Sequence, residues 1–166
     1  MKNYQPYYYK KINLQLIALD DLQDTLAWRN AYKEWFNDSQ TIEPATHYQW
    51  FENYQKKDND LLFIVRNEED EKVGQVSVYN INQQTKEGEF GRFLVNPLFA
   101  GQRYMKTACE GMIQFCQDLL PIQTLYLEVK SNNLKAIQIY QTCGFVISHE
   151  LENSNLLMRH IIQSNK

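Results

Sequence analysis

Residues 133–145 read NLKAIQIYQTCGF and directly follow the apolar segment 125–129. The pattern predicts a buried strand that leads into a short helix beginning at Asn133. On that helix Asn133, Ala136 and Tyr140 occupy positions i, i+3 and i+7, so they share one face. An amide, a small residue and a phenol therefore border the same space.

Two interpretations of this run stay open on its residues alone. In the structural one, Asn133 caps the helix, Tyr140 packs in the core, and Gly144 ends the helix in a left-handed conformation. In the chemical one, Asn133 offers a hydrogen-bond donor and acceptor to a ligand, and Tyr140 offers a proton. A functional interpretation needs a second segment that supports it.

The composition is that of a globular protein, and we expect one domain over residues 1–166. Of the 166 residues 43% are hydrophobic and 22% charged, with a formal net charge of -3. This balance argues against a nucleic-acid partner, and no apolar run is long enough to cross a membrane. The three cysteines show no metal-binding spacing, and Cys109 and Cys116 are expected in the core. With no secretion signal at the N-terminus, we expect a cytoplasmic location.

The periodicity of hydrophobic residues predicts an α+β fold. Asp20 or Asp21 is expected to cap the first helix, and Thr46 with Gln49 to form a capping box that opens the second. The order predicts a mixed, mostly antiparallel twisted sheet of about seven strands flanked by about four helices. The strands are 8–17, 61–65, 73–79, 89–95, 124–129, 145–150 and 156–162; the helices are 22–30, 46–54, 105–119 and 133–143.

The second informative segment runs over residues 93–108, from a strand through a loop with Gly101 into a helix. The first N–H groups of a helix lack partners within the helix, and the helix dipole is positive there. Such a start suits a phosphate or pyrophosphate, and Arg103 and Lys106 add positive charge. A single glycine in a loop is also found in ordinary strand-to-helix connections.

Taken together, the two segments resemble the GNAT superfamily of acyl-CoA-dependent N-acyltransferases. The resemblance rests on Val95-x-Pro97, the Gly101 loop, and Asn-x-x-Ala-x-x-x-Tyr followed by Gly-Phe. It covers residues 61–145 and, through the order of elements, most of the chain. It implies that acetyl-CoA enters a V-shaped split between the fourth and fifth strands.

The phosphate loop departs from the pattern of that superfamily. Where the family has Gln or Arg, then Gly, then Gly or Ala, this chain has Ala100, Arg103 and Met105. A residue with a side chain pays roughly 1–2 kcal/mol in the left-handed region. We therefore expect these positions to use right-handed backbone angles or to bear strain.

The resemblance also implies roles for individual residues. Asn133 and Ala136 would contact the pantetheine arm, Tyr140 would protonate the departing CoA thiolate, and the Leu94 N–H would stabilise the oxyanion. The main chain that holds pantetheine would be that of Phe93, Leu94 and Val95. The pyrophosphate would bind the N–H groups of Gly101, Gln102, Arg103, Tyr104, Met105 and Lys106.

The attacking amine must lose a proton, and three residues are candidates for the base. Glu89 is the first choice, and His47 and Glu128 are the alternatives, acting directly or through water. Each also has an ordinary explanation, as a carboxylate at a strand edge or a surface residue of a helix. The Arg92 side chain is interpreted as a solvated charge, and no metal site is expected.

The acceptor side would lie among the first two helices. Three short runs resemble a subset of the family that contains nucleotide-aminosugar N-acetyltransferases: Trp28-Arg29-Asn30, Trp35-Phe36 and His47-x-x-Trp50-Phe51. Arg29 could pair with a phosphate or carboxylate, and the aromatic rings could stack on a base or sugar. Glu128 is a further candidate on this side. Trp28 and Trp50 could instead only close the core.

Three functions remain open. The first is acetyl transfer from acetyl-CoA to a primary amine of a small molecule by direct attack, with a nucleotide-linked aminosugar as the leading acceptor. The second is acetylation of peptide N-termini, as in ribosomal-protein acetyltransferases. The third is an acyl-CoA-binding sensor without catalysis. A homodimer is left open.

Overall fold

A computed structural model describes residues 2–162 as a single eight-stranded sheet flanked by helices. The strands are β1 (Tyr7–Tyr9), β2 (Ile12–Leu16), β3 (Leu61–Asn67), β4 (Lys72–Asn82), β5 (Glu87–Val95), β6 (Thr124–Lys130), β7 (Val146–Glu150) and β8 (Asn155–Ile161). The helices are α1 (Leu22–Ala31), α2 (Pro44–Gln55), α3 (Tyr104–Leu119) and α4 (Leu134–Thr142). The strand order is β1-β2-β3-β4-β5-β6-β8-β7. This is the α+β fold that the periodicity predicts.

The sheet separates two hydrophobic clusters because neighbouring residues of a strand point to opposite faces. On β3, Phe63 packs in the cluster that contains α3 and α4, whereas Ile64 packs in the one that contains α1 and α2. Cys109 and Cys116 are fully buried in the first cluster, as expected. Within the described chain no helix is long and apolar enough to cross a membrane.

The predicted first strand is two strands joined by a tight turn. Lys10 has φ 49°, and Tyr9 pairs with Ile12, so Lys10 and Lys11 form a two-residue hairpin. Such turns normally carry Gly or Asn at the positive-φ positions, and this chain gives no such signal. The sheet therefore has eight strands where seven are expected.

Both predicted helix starts on the α1–α2 side need correction. Asp21 precedes α1 but makes no capping bond, and its Oδ2 accepts from the Ala18 N–H at 2.8 Å instead. Helix α2 begins at Pro44, so Thr46 lies inside its first turn and forms no capping box. Proline presets the φ of the first helical residue, which starts the helix earlier than expected.

The parallel pair β5–β6 creates the split that the resemblance implies. Every other neighbouring pair in the sheet is antiparallel. The parallel pairing joins Glu87 to Thr124, Gly88 to Leu125 and Glu89 to Tyr126. Beyond Glu89 no further pairing of the two strands is found in the part of the chain that the structure describes. The strands therefore part at the middle of the sheet.

A β-bulge in β5 bends the strand at the split. Gln75 of β4 faces Leu94 and Ser77 faces Gly91, so Val76 alone spans Arg92 and Phe93. Arg92 takes the extra position with φ 46°. Its carbonyl accepts a hydrogen bond from the Gln75 Nε2 at 3.0 Å. Bulges of this kind turn the strand and redirect the backbone groups that follow.

Candidate active site

Two cavities open on either side of the split. The first, the carboxylate cavity, has a volume of about 550 Å³ and is bordered by Glu89 and Glu128. The second, the loop cavity, has about 660 Å³ and is bordered by the segment that leads into α3. The six residues that line both are Trp35, Phe93, Leu94, Asn133, Ala136 and Tyr140. The two cavities thus meet at the strand and helix that the sequence singles out.

Tyr140 stands at this junction. Its ring packs against Phe90, Phe93 and Phe145, and only 8% of the residue is exposed. Burial is the main cause that raises its pKa, so the phenol keeps its proton at physiological pH. A protonated phenol thus borders both cavities, which is compatible with the expected role as proton donor.

Asn133 combines the two interpretations that its sequence leaves open. Its Oδ1 accepts from the Ala136 N–H at 3.3 Å, so it caps α4. No bond of its Nδ2 to another described residue is found, and the residue lines both cavities. The cap therefore leaves a donor available to a ligand. Gly144 closes α4 with φ 101°, as predicted.

The start of α3 borders the loop cavity. The N–H groups of Tyr104, Met105 and Lys106 donate to no acceptor within residues 2–162, and the first bond of the helix is from Thr107 to Arg103. Gly101 and Arg103 line the same cavity. Unpaired amides and nearby positive charge fit an anion such as a pyrophosphate. Gln102 is a correction, because its N–H donates to Phe99 and it lines neither cavity.

The three loop positions that depart from the family pattern differ in their backbone angles. Ala100 is extended, with φ -59° and ψ 140°, and Met105 lies inside α3. Arg103 has φ 65° and ψ 10°, which is the left-handed region. The loop thus keeps the left-handed residue before the helix although the chain has an arginine there, and it bears strain at this one position.

The expected main-chain contacts to pantetheine fall on the edge of β5 that the split leaves without a neighbour. Phe93, Leu94 and Val95 line the loop cavity and lie past the last pair that β5 forms with β6. Leu94 pairs with Gln75, and the Asn96 N–H bonds the Val73 carbonyl, so the Leu94 N–H faces β4 rather than the split. This corrects the expectation that Leu94 supplies the oxyanion donor. An extended ligand can add to such an edge as a strand does.

Glu89 and Glu128 are the two carboxylates on the carboxylate cavity, and their surroundings differ. Glu89 accepts from the Tyr79 hydroxyl at 2.8 Å and from the Asn80 Nδ2 at 3.1 Å. Glu128 accepts amide bonds from asparagine side chains, and these lower its pKa. A lowered pKa makes Glu128 a poor proton acceptor. Glu89 therefore remains the first candidate for the base.

His47 lines the same cavity, half-buried rather than on the surface. Its Nε2 lies 2.9 Å from the Thr25 Oγ1, and Thr25 donates its own proton to the Leu22 carbonyl. This assigns the ring proton to Nε2 and leaves Nδ1 as an acceptor. Burial lowers the pKa of His47, so the ring is neutral at pH 7. Its ring stacks on Trp50, which lines the cavity too.

The Arg92 side chain is not a solvated charge. It forms two hydrogen bonds with Asp60, at 2.6 and 3.0 Å, and a third with the Ser77 hydroxyl at 2.9 Å. Its guanidinium lies over the rings of Tyr79 and Trp50. Asp60 is 4% exposed, and a buried carboxylate requires such a partner. Arg92 lines the carboxylate cavity, and Asp60 holds its side chain in place.

Arg29 and Trp28 are neighbours in sequence but have different surroundings. Arg29 lines the carboxylate cavity and lies over the Phe36 ring, and its buried Nη1 has no partner among the described residues. Trp28 is 4% exposed and packs in the cluster of α1 and α2. It lines neither cavity, which corrects the expectation that it contacts substrate.

Sequence reasoning placed Trp35 and Phe36 on the acceptor side, but it missed Asn37 and Asn155. Trp35 lines both cavities, and Phe36 and Asn37 line the carboxylate cavity. Asn37 lies in an irregular segment that has no periodicity. Asn155 also lines this cavity, and no local pattern marks it.

The family of the chain follows from a comparison with known families. The acetyltransferase (GNAT) domain matches residues 11–146. The chain belongs to the GNAT acetyltransferase family. It is an acyl-CoA-dependent N-acetyltransferase, and its acyl donor is acetyl-CoA. The superfamily named from the motifs is confirmed.

Relatives of this GNAT chain include polyamine acetyltransferases. It is 27% identical over 122 residues to spermidine N(1)-acetyltransferase of Vibrio cholerae, covering 71% of this chain and 67% of that enzyme. It is 32% identical over 81 residues to spermidine N(1)-acetyltransferase of Escherichia coli K12, covering 49% of this chain and only 43% of that enzyme. The expected likeness to aminosugar enzymes finds no support in these two relatives.

Solved structures agree on the fold of this GNAT chain. The Vibrio cholerae spermidine N-acetyltransferase, solved in complex with CoA and spermine, matches with a TM-score of 0.83 at 18% identity. The match covers 92% of this chain and 96% of that one. A domain from Methanocaldococcus jannaschii matches with a TM-score of 0.79 at 18% identity, covering 91% and 98%. At such identity the likeness concerns the fold.

Proposed function

We propose that this protein transfers the acetyl group of acetyl-CoA to a primary amine of a polyamine such as spermidine, by direct attack of the amine. The observation that carries acetyl transfer is the junction of the two cavities at Leu94 and Tyr140. The polyamine rests on the names of the two curated relatives. It also rests on Glu89 and Glu128, the carboxylates that line the carboxylate cavity.

On the donor side, the chain holds the cofactor arm and its phosphates. Main-chain groups of Phe93 and Val95 bond the pantetheine, and the free amides at the start of α3 bond the pyrophosphate. Lys106 and Arg103 add positive charge next to those amides. The Asn133 Nδ2 is a further donor to the arm. The thioester then lies at the junction, where both cavities are open to it.

At the junction, the chain stabilises charge and moves protons. Attack by the amine places negative charge on the carbonyl oxygen, and a main-chain N–H of β5 that faces the split donates to it, a contribution of about 3–4 kcal/mol for a well-placed donor. Glu89 takes the proton of the amine, with the Nδ1 of His47 as the alternative acceptor. Tyr140 gives its proton to the departing thiolate.

A second acceptor class is favoured by Arg29. Its buried Nη1 lacks a partner in the described chain, and leaving a charged donor unsatisfied is costly. Lys130 lines the same cavity. An acceptor that carries a phosphate or carboxylate beside its amine would satisfy that donor. A polyamine would not.

An acceptor panel distinguishes these proposals. Release of free CoA thiol from acetyl-CoA is measured with spermidine, a nucleotide-linked aminosugar and a peptide with a free N-terminus. We expect the highest kcat/KM with spermidine. Turnover with the aminosugar alone would favour the second class, and turnover with the peptide alone would overturn the small-molecule acceptor. Binding of CoA in calorimetry without turnover of any amine would indicate the sensor.

A further inference from the structure

Glu128 is a carboxylate that three neutral side chains hold in place. Its Oε1 accepts from the Nδ2 groups of Asn155 at 2.7 Å, Asn153 at 3.0 Å and Asn37 at 3.4 Å. No contact of its Oε2 with another described residue is found. The side chain is exposed and lines the carboxylate cavity. One oxygen is thus fixed by amides while the other stays available.

No basic side chain of the described chain neutralises this carboxylate. Glu128 takes part in none of the ion pairs among residues 2–162. Lys130, two residues along the same strand, donates to the Glu34 carbonyl at 2.6 Å instead. Hydrogen bonds from amides lower the pKa of Glu128, so it stays ionised. A fixed negative charge without a basic partner on a cavity wall can bind a cationic ligand.

Glu128 is not needed to fasten the neighbouring loop. The Asn155 Nδ2 also donates to the Asn37 Oδ1 at 2.9 Å, which ties the loop after α1 to β8 directly. Asn155 is 7% exposed. The loop is therefore attached to β8 without the negative charge of Glu128, so attachment of the loop does not explain that charge.

Resting on the proposed polyamine acceptor, we propose that Glu128 Oε2 binds a second, non-reacting ammonium group of the acceptor. Trp35 and Phe36 line the same cavity beside Asn37 and supply an apolar wall for the methylene chain between the two amines. Glu89 faces the reacting amine. The site thus selects amines with a second positive charge over amines with one.

Cadaverine and pentylamine test this selection, since they differ only by the second amine. The wild-type protein is expected to show at least a tenfold higher kcat/KM with cadaverine. Glu128→Gln keeps the shape and removes the charge, so kcat/KM for cadaverine is expected to fall about tenfold to a hundredfold. The value for pentylamine is expected to change less than about twofold. Glu128→Asp keeps the charge and should retain part of the preference.

Glu152→Gln is the matched control, because it removes an exposed carboxylate from the turn before β8 that lines neither cavity. This variant should leave kcat/KM unchanged for both cadaverine and pentylamine. If Glu128→Gln lowers kcat/KM equally for both amines, Glu128 acts at the reacting amine. If kcat/KM does not fall for either amine, Glu128 does not contact the acceptor. Either result overturns the proposed subsite. If neither spermidine nor cadaverine is acetylated while another amine is, the proposed acceptor itself fails.

Discussion

In Tyr140 the ring packs against other aromatic rings, and the hydroxyl is the proposed proton donor. Its ring is held by Phe90, Phe93 and Phe145, and phenylalanine would fill the same space. We expect Tyr140→Phe to lower kcat by about 10² to 10⁴ because it removes only the proton donor. The KM for acetyl-CoA should change little. Steady-state kinetics with saturating amine measures both values.

Tyr7→Phe serves as the control for removal of a phenol. Tyr7 packs on Phe115 and donates to Asp118 at 2.6 Å, and it lines neither cavity. Its kcat should match that of the wild type. If Tyr140→Phe also retains full turnover, another group or water protonates the thiolate.

Arg103 has two opposing effects at one position. Its charge favours an anion at the start of α3, but its φ of 65° is unfavourable for any residue with a Cβ atom. Arg103→Gly and Arg103→Ala both remove the charge, and only glycine removes the strain. We expect the glycine variant to be the more stable by about 1 kcal/mol in urea unfolding.

Calorimetry with CoA separates the charge of Arg103 from its backbone. Both variants should bind CoA more weakly than the wild type by a similar factor. The difference in affinity between the wild type and the variants should shrink as salt is added. Equal stability of the two variants would show that the left-handed angle costs nothing here.

At the level of elements, β4, β5 and α3 meet at Gly74. A Cβ atom on Gly74 would lie 2.5 Å from the Leu94 carbonyl oxygen and 2.7 Å from the Met105 Sδ. Gly74→Ala must therefore displace the segment that carries the proposed oxyanion donor. We expect a loss of about 1–3 kcal/mol in stability and a reduced kcat. Urea unfolding and steady-state kinetics test the two effects.

Gly88→Ala is the comparison within the same sheet. Its Cβ would meet side-chain atoms of Val78 and Ile122 at 3.0 and 3.1 Å, and these can shift. This variant should lose stability without a selective loss of kcat. Were both variants to lose activity in proportion to stability alone, Gly74 would have no specific effect on the junction.

Elements with strong local signals were predictable from the sequence, and those set by backbone angles were not. Helix α3 follows from its apolar spacing, and α4 from Asn133 and Gly144. The β1–β2 turn depends on Lys10 at positive φ, for which lysine gives no sign. The start of α2 depends on Pro44, whose preset φ outweighs the capping pattern at Thr46.

At the level of the whole molecule, the sequence indicated several residues that line the cavity, but the contacts between distant segments could not be predicted. Tyr140, Asn133 and the start of α3 come from two continuous motifs. Glu128 meets Asn37 across 91 residues of sequence, and Arg92 meets Asp60 across 32. Such contacts depend on how the sheet and the loops are arranged, which periodicity does not determine. The burial of Trp28 next to Arg29, which lines the carboxylate cavity, also depends on this arrangement.

The shared wall of the two cavities has a consequence for the order of events in turnover. In the proposed arrangement, acyl donor and amine approach the same atoms from opposite sides, and neither has to leave before the other arrives. The protein should therefore form a ternary complex, and double-reciprocal plots at several fixed acceptor concentrations should intersect rather than run parallel. Free CoA, which occupies only the donor side, should inhibit competitively against acetyl-CoA.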